Sequence, residues 1–104
     1  MQPHAFKMHL NPGAEAEYKR RHDAIWPELA TLLNSAGIVN YSIHLDRETN
    51  VLFGYLERRD GHLMHDLPSQ AVMRRWWEAM RDLMRTDETA RPVTADLVEV
   101  FHLA

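Results

Sequence analysis

The chain contains no cysteine, which removes disulfide frameworks, thiol nucleophiles, iron–sulfur clusters and cysteine-based zinc sites together. The fold must therefore rest on packing. No apolar run approaches the ~20 residues of a membrane span, and Met1 to Leu10 has no uninterrupted apolar stretch of the signal-peptide kind. The expected location is the cytoplasm, without a membrane partner. Lys and Arg number 12 against 15 Asp and Glu, for a net charge of -3, and no basic block stands out. Nucleic acid, whose binding depends on neutralising a run of phosphates, is not an expected partner. The four glycines, Gly13, Gly37, Gly54 and Gly61, stand apart from one another, so there is no phosphate-cradling loop. A GxSxG nucleophile motif is missing too.

What is present is ordinary globular sequence: 104 residues, 45% hydrophobic and 26% charged, enough for one core in one domain spanning residues 1–104. From Ala5 to Leu10 apolar side chains alternate, with Phe6, Met8 and Leu10 on one face, which predicts a strand. Beyond Asn11-Pro12-Gly13 the period lengthens. Tyr18, His22, Ile25, Leu29, Leu32 and Leu33 recur three or four apart and share a helical face that ends at Gly37. Pro27 lacks the N–H that would bond back to Asp23, so it should kink this helix or split it.

Alternation returns from Ile38 to Leu45, placing Val39, Tyr41, Ile43 and Leu45 on one face. A polar turn, Asp46 to Asn50, leads to a strand Val51 to Arg58 that is apolar on both sides, and the two form a hairpin. From Ser69 a second helical pattern carries Val72, Met73, Trp76, Trp77, Met80, Leu83 and Met84. Arg85 to Arg91 reads as a solvated link, and Leu97 to Leu103 as a last strand. The order strand, helix, strand, strand, helix, strand is that of an α+β ferredoxin-like βαββαβ sheet, with both helices on one face. The face without helices would then carry more apolar surface than a soluble monomer usually shows, which predicts a homodimer.

Among residues that could carry chemistry, Tyr18 and His22 come first, a phenol and an imidazole one helical turn apart. An imidazole both gives and takes protons near neutrality. Spacing alone leaves two readings open: an acid/base group, or a packed histidine bonded to a backbone carbonyl. Trp76 and Trp77 are adjacent on a helix, about 100° apart, so one fills core while the other edges a pocket. Indoles suit the C–H faces of a sugar ring, and core filling is the plainer alternative. Tyr41 should place its ring in the core with its hydroxyl in need of a partner. His62 and His65 beside Asp66, and His4 near His9, invite a metal reading, but without an HExxH or Cys/His pattern no metal is expected.

Together these residues resemble the L-rhamnose mutarotase family. The resemblance rests on Tyr18-Lys19-Arg20-Arg21-His22-Asp23-Ala24-Ile25-Trp26-Pro27-Glu28-Leu29, on Asn40-Tyr41, on Arg75-Trp76-Trp77 with Met80, and on Glu99-Val100-Phe101-His102-Leu103. It implies a dimeric ferredoxin-like α+β fold and no cofactor. It also implies His22 as the proton donor, Tyr18, Tyr41, Trp76 and Trp77 as sugar-binding residues, and interconversion of the α and β anomers of L-rhamnose. His22 would protonate the ring oxygen on opening and take the proton back on closure. The chain departs from the family pattern at Met64, where relatives often carry Trp, at Met73, where Cys is common, and from Asp87 to Arg91, which replaces an Asn-Pro-Asp-rich turn. Small dimeric oxygenases of the same fold, including haem-degrading ones, and a non-catalytic sugar-binding module are the competing expectations.

Overall fold

A computed structural model describes all 104 residues of the protein. Strand β1 spans Gln2–His9, helix α1 Glu15–Asp23, helix α2 Pro27–Ser35, strand β2 Ile38–Asp46, strand β3 Val51–Arg58, helix α3 Ala71–Met80 and strand β4 Ala95–Asp96. Two 3-10 segments, Met64–Ser69 and Arg81–Leu83, flank α3. The strands form one antiparallel sheet in the order β2-β3-β1-β4. This is the expected α+β ferredoxin-like arrangement, with the first helix in two pieces.

Pro27 is the reason for those two pieces. It occupies the first turn of α2, where its missing N–H costs nothing, and Trp26 before it is extended. Helix α1 is held by its charges: Glu15 and Glu17 lie in the first turn and Arg20, Arg21 and His22 in the last, complementing the helix dipole. On the sheet, Phe6, Met8, Leu52, Leu56 and Ile38 are buried and pack with Tyr18, Leu29, Met73, Trp76 and Met80 from the helices into one core. Phe6 stands opposite Gly54 in the register, and a Cβ at residue 54 would fall 2.7 and 2.8 Å from two of its ring carbons. The glycine is what lets this ring lie flat on the sheet.

Three expectations need correction. First, Val39 does not share a face with Tyr41. Asn40 takes a φ of 50° and the register shifts between Val39 and Ser42, so Ile38 enters the core while Val39 stands opposite Glu57. Such a bulge reverses the alternation on one side of it. Second, the helical period runs past the helix: α3 stops at Met80, Leu83 ends a 3-10 turn and Met84 bridges to Leu10. Third, Leu97 to Leu103 is not a strand in the single chain. Leu97 donates its N–H to the Ala5 carbonyl at 2.9 Å, and beyond it the chain leaves the sheet. A strand needs a neighbour for its backbone groups, and here none lies alongside. Val98, Val100, Phe101 and Leu103 are consequently 78 to 93% exposed. On the sheet face away from the core, Phe53 and Tyr55 are exposed as well, as the two-sided apolar pattern implied.

Candidate active site

Tyr18, His22, Tyr41, Trp76 and Trp77, scattered over 60 positions of sequence, line one cavity of about 1620 Å³ bounded by the helices and the sheet. Helix α1 supplies the first two, β2 the third and α3 the indoles. The imidazole of His22 is the hub. Its ring lies 4.2 Å from that of Tyr18 and 5.4 Å, edge-on, from that of Trp76, while Trp26 meets Trp76 at 5.2 Å, also edge-on.

Nδ1 of His22 is 2.9 Å from the backbone carbonyl oxygen of Tyr18. A carbonyl only accepts, so Nδ1 carries the proton and the neutral ring leaves its lone pair on Nε2. Burial lowers the pKa of His22 below its ordinary value of 6.5, outweighing the Tyr18 carbonyl and the charge of Asp23, which pull the other way. At neutral pH the ring is therefore an uncharged base. The bond to a backbone carbonyl and the acid/base role, set against each other in the sequence, turn out to be compatible.

Of the two phenols, Tyr41 departs from what spacing suggested. Tyr18 is buried, whereas Tyr41 is 40% exposed and not a core residue; its ring meets Phe6 edge-on at 6.2 Å. Its open surface faces the cavity. Crowding by protein nonetheless raises its pKa to about 12, and burial raises that of Tyr18 further, with Tyr41 adding to the effect. Tyr18 feels the charge of Tyr41, and both phenols line the one cavity. Neither hydroxyl bonds to another protein group, so both are free to meet a ligand. The adjacent indoles divide as expected: Trp76 is 8% exposed and belongs to the core, while Trp77 is half-buried at the edge.

A sequence description of the L-rhamnose mutarotase family matches residues 3–103. The chain belongs to this family. It is 57% identical to the L-rhamnose mutarotase of Rhizobium johnstonii over 103 residues, covering 99% of this chain and 97% of the relative. It is 57% identical to that of Sinorhizobium fredii over 104 residues, covering both chains fully. The crystal structure of an L-rhamnose mutarotase from Formosa agariphila superposes with a TM-score of 0.94 at 39% identity, over 100% of each chain.

Other residues of this mutarotase-family chain hold in place the helices that line the cavity. Arg21 donates to Glu17 at 2.7 Å, to the Ala79 carbonyl at 2.7 Å and to Asp82 at 2.8 Å. It thereby fastens α1, which carries His22, to the end of α3, which carries the indoles. The signal available in sequence was its place beside His22. Trp26 braces Trp76, a contact created by the break at Pro27. No three His, Asp or Glu side chains gather closely enough to hold a metal ion, and His65 lies 3.3 Å from Asp66 at the surface.

Proposed function

We propose that the protein interconverts the α and β anomers of L-rhamnopyranose by opening and closing the ring, with His22 moving the proton. The observation that carries this reading is the locked imidazole: its Nδ1 is spent on the Tyr18 carbonyl and its Nε2 is free beside the Tyr18 ring, in the cavity that Tyr41 also lines. In an aldopyranose the anomeric hydroxyl oxygen and the ring oxygen are both bonded to C1. One nitrogen therefore reaches both. Nε2 takes the proton from the anomeric hydroxyl and delivers it to the ring oxygen as the C1–O bond to that oxygen breaks and C1 becomes an aldehyde carbon. Rotation about the C1–C2 bond presents the other carbonyl face. Closure reverses the transfer: Nε2 takes the proton from the ring hydroxyl as its oxygen attacks C1, then returns it to the anomeric oxygen. No net proton is gained or lost.

Tyr18 and Tyr41, protonated at neutral pH, hold sugar hydroxyls as donors and acceptors. Trp76 and Trp77 receive the apolar C–H face of the ring and exclude water. General acid/base catalysis of ~10² to 10⁴-fold, added to positioning, is sufficient for a reaction that already proceeds in water. The deciding measurement is saturation-transfer proton NMR on L-rhamnose at anomeric equilibrium. Saturating one anomeric proton with the protein present should bleach the other well beyond the buffer rate, and a transfer equal to buffer refutes the reading.

The homodimer belongs to this proposal. The exposed arm from Leu97 to Leu103, strand-like in sequence and without a neighbour, offers unpaired backbone groups and an apolar row. Phe53 and Tyr55 add apolar surface on the open sheet face. A second copy of the chain supplies both a strand neighbour and a matching apolar face by twofold symmetry.

A further inference from the structure

The segment Arg85 to Arg91 is a closed and internally bonded loop rather than a loose link. The Asp87 N–H donates to the Arg91 carbonyl at 2.9 Å and the Ala90 N–H to the Asp87 carbonyl at 3.1 Å. Oδ1 of Asp87 accepts from the backbone N–H groups of Thr89 and Arg91, at 2.8 and 3.1 Å, and from the Thr89 hydroxyl at 2.7 Å. Below the loop, Arg85 donates to the His9 carbonyl at 2.9 Å and Val93 to the Arg85 carbonyl at 3.1 Å. Ala90 is fully buried with a φ of 69°, a left-handed conformation fixed by this surrounding structure. The backbone of Arg91 is thus anchored on both sides.

Its side chain takes no part in that anchoring. The guanidinium carbon stands 5.7 Å from the centroid of the Trp77 ring, and Arg91 and Trp77 line the same cavity as His22. No protein acceptor receives a hydrogen bond from the guanidinium, and it joins no ion pair; its charge is felt by the nearby Asp87, whose Oδ1 is bonded within its own loop. A rigid loop therefore presents a planar fork of unused N–H donors beside an aromatic surface at the cavity wall.

We propose that Arg91 is a substrate-binding and specificity-determining residue, donating to adjacent hydroxyl oxygens of the sugar held against Trp77. The inference rests on the mutarotase reading. Hydroxyl oxygens on neighbouring ring carbons match the spacing of the guanidinium fork, and a charged donor to each makes the loss of either hydroxyl costly.

The test is anomer exchange against sugar concentration for wild-type protein, Arg91→Met and Arg91→Lys, with L-rhamnose and with its monodeoxy analogues. Methionine keeps an apolar stem on the indole while removing the donors. KM for L-rhamnose should rise about tenfold to a hundredfold in Arg91→Met, the loss of a charged hydrogen bond, with a much smaller change in kcat. Lysine should fall between the two. At least one monodeoxy analogue should lose affinity against wild-type protein and lose little more against Arg91→Met, because the missing hydroxyl and the missing donor are partners. An unchanged KM, a loss confined to kcat, or equal discrimination among the analogues in both proteins overturns the proposal. If Arg91→Met fails to fold, the same comparison is made with Arg91→Lys, for which unchanged KM and discrimination overturn it equally. Absence of exchange by wild-type protein overturns the mutarotase reading and this inference together, whereas exchange with an Arg91-independent KM overturns only the role of Arg91.

Discussion

His22 and Tyr18 are joined twice, by the 2.9 Å contact from Nδ1 to the backbone carbonyl and by rings 4.2 Å apart. One helical turn fixes both the tautomer of the imidazole and the place of the phenol beside it. Replacing His22 with Ala or Gln should lower exchange by ~10² to 10⁴-fold, the range for a general acid or base, while binding of the sugar weakens far less. Because burial disfavours the imidazolium, the acid limb of kcat/KM should lie below the ordinary 6.5, with a level rate from neutrality upward. A limb centred above 6.5, or a His22→Gln protein with full turnover, would remove His22 from the chemistry.

The same burial has a consequence for stability. His4 and His22 both have folded pKa values lowered from 6.5, chiefly by burial, with the Arg58 charge adding to the effect at His4. Between the folded and unfolded values the unfolded chain binds more protons, so stability there increases with pH. It is complete above about 6.5 and lost as pH falls below it. A second loss follows at lower pH, where Glu17, held near 2 by Arg20 and Arg21, is joined by Glu15, Asp82 and Asp87, each lowered by hydrogen bonds. Thermal melts from pH 8 to pH 3 should therefore show Tm falling in two stages. A Tm that holds constant from pH 7 to pH 5 contradicts the first.

Periodicity made the architecture legible because burial imposes it: the 3.6 and 2 repeats of Tyr18 to Leu33 and of Phe6 to Leu10 are those of chain segments with one face against a core. It failed where a single residue changed the phase. Asn40 reverses the face of Val39 through one left-handed φ, and nothing in the alternation of Ile38 to Leu45 signals it. Past Leu97 it failed for a different reason: the apolar alternation is there, but no strand of the chain lies alongside to pair its backbone groups. The five residues proposed for the site do line one cavity, with Tyr41 at its wall rather than in the core. Arg21 and Trp26 were not singled out, because what they touch lies 50 or more residues away in sequence, and Arg91 was passed over because the bonded loop that sets it beside Trp77 reads in sequence as a solvated link.

The neighbouring indoles should respond oppositely to truncation. Trp76 is 8% exposed and packs against His22 and Trp26, so Trp76→Ala should cost about 3–5 kcal/mol of stability, a large share of what a domain this size has. Trp77 is half-buried, and its loss should be felt first in sugar binding: Trp77→Ala should stay folded and raise KM several-fold. Chemical denaturation read beside exchange kinetics separates the two. Equal destabilisation by both, or unchanged sugar affinity in Trp77→Ala, would show that the pair does not divide into core and cavity wall.

The arm from Leu97 onward gives the strongest structural handle on assembly. Val98, Val100, Phe101 and Leu103 are too exposed to stabilise the single chain that carries them. Removing residues 97–104 should then leave the fold of one protomer intact and act on association. Light scattering should report a dimer for the full chain at micromolar concentration and a monomer for the shortened one, with a lower and less concentration-dependent Tm. The apolar residues Phe53 and Tyr55 lie on the opposite side of the sheet from the cavity, so a shortened monomer should still admit sugar where Tyr18 and His22 meet. A shortened chain that remains dimeric would place the interface on the sheet face alone, and a full-length chain that is monomeric at micromolar concentration would leave the arm without its proposed partner.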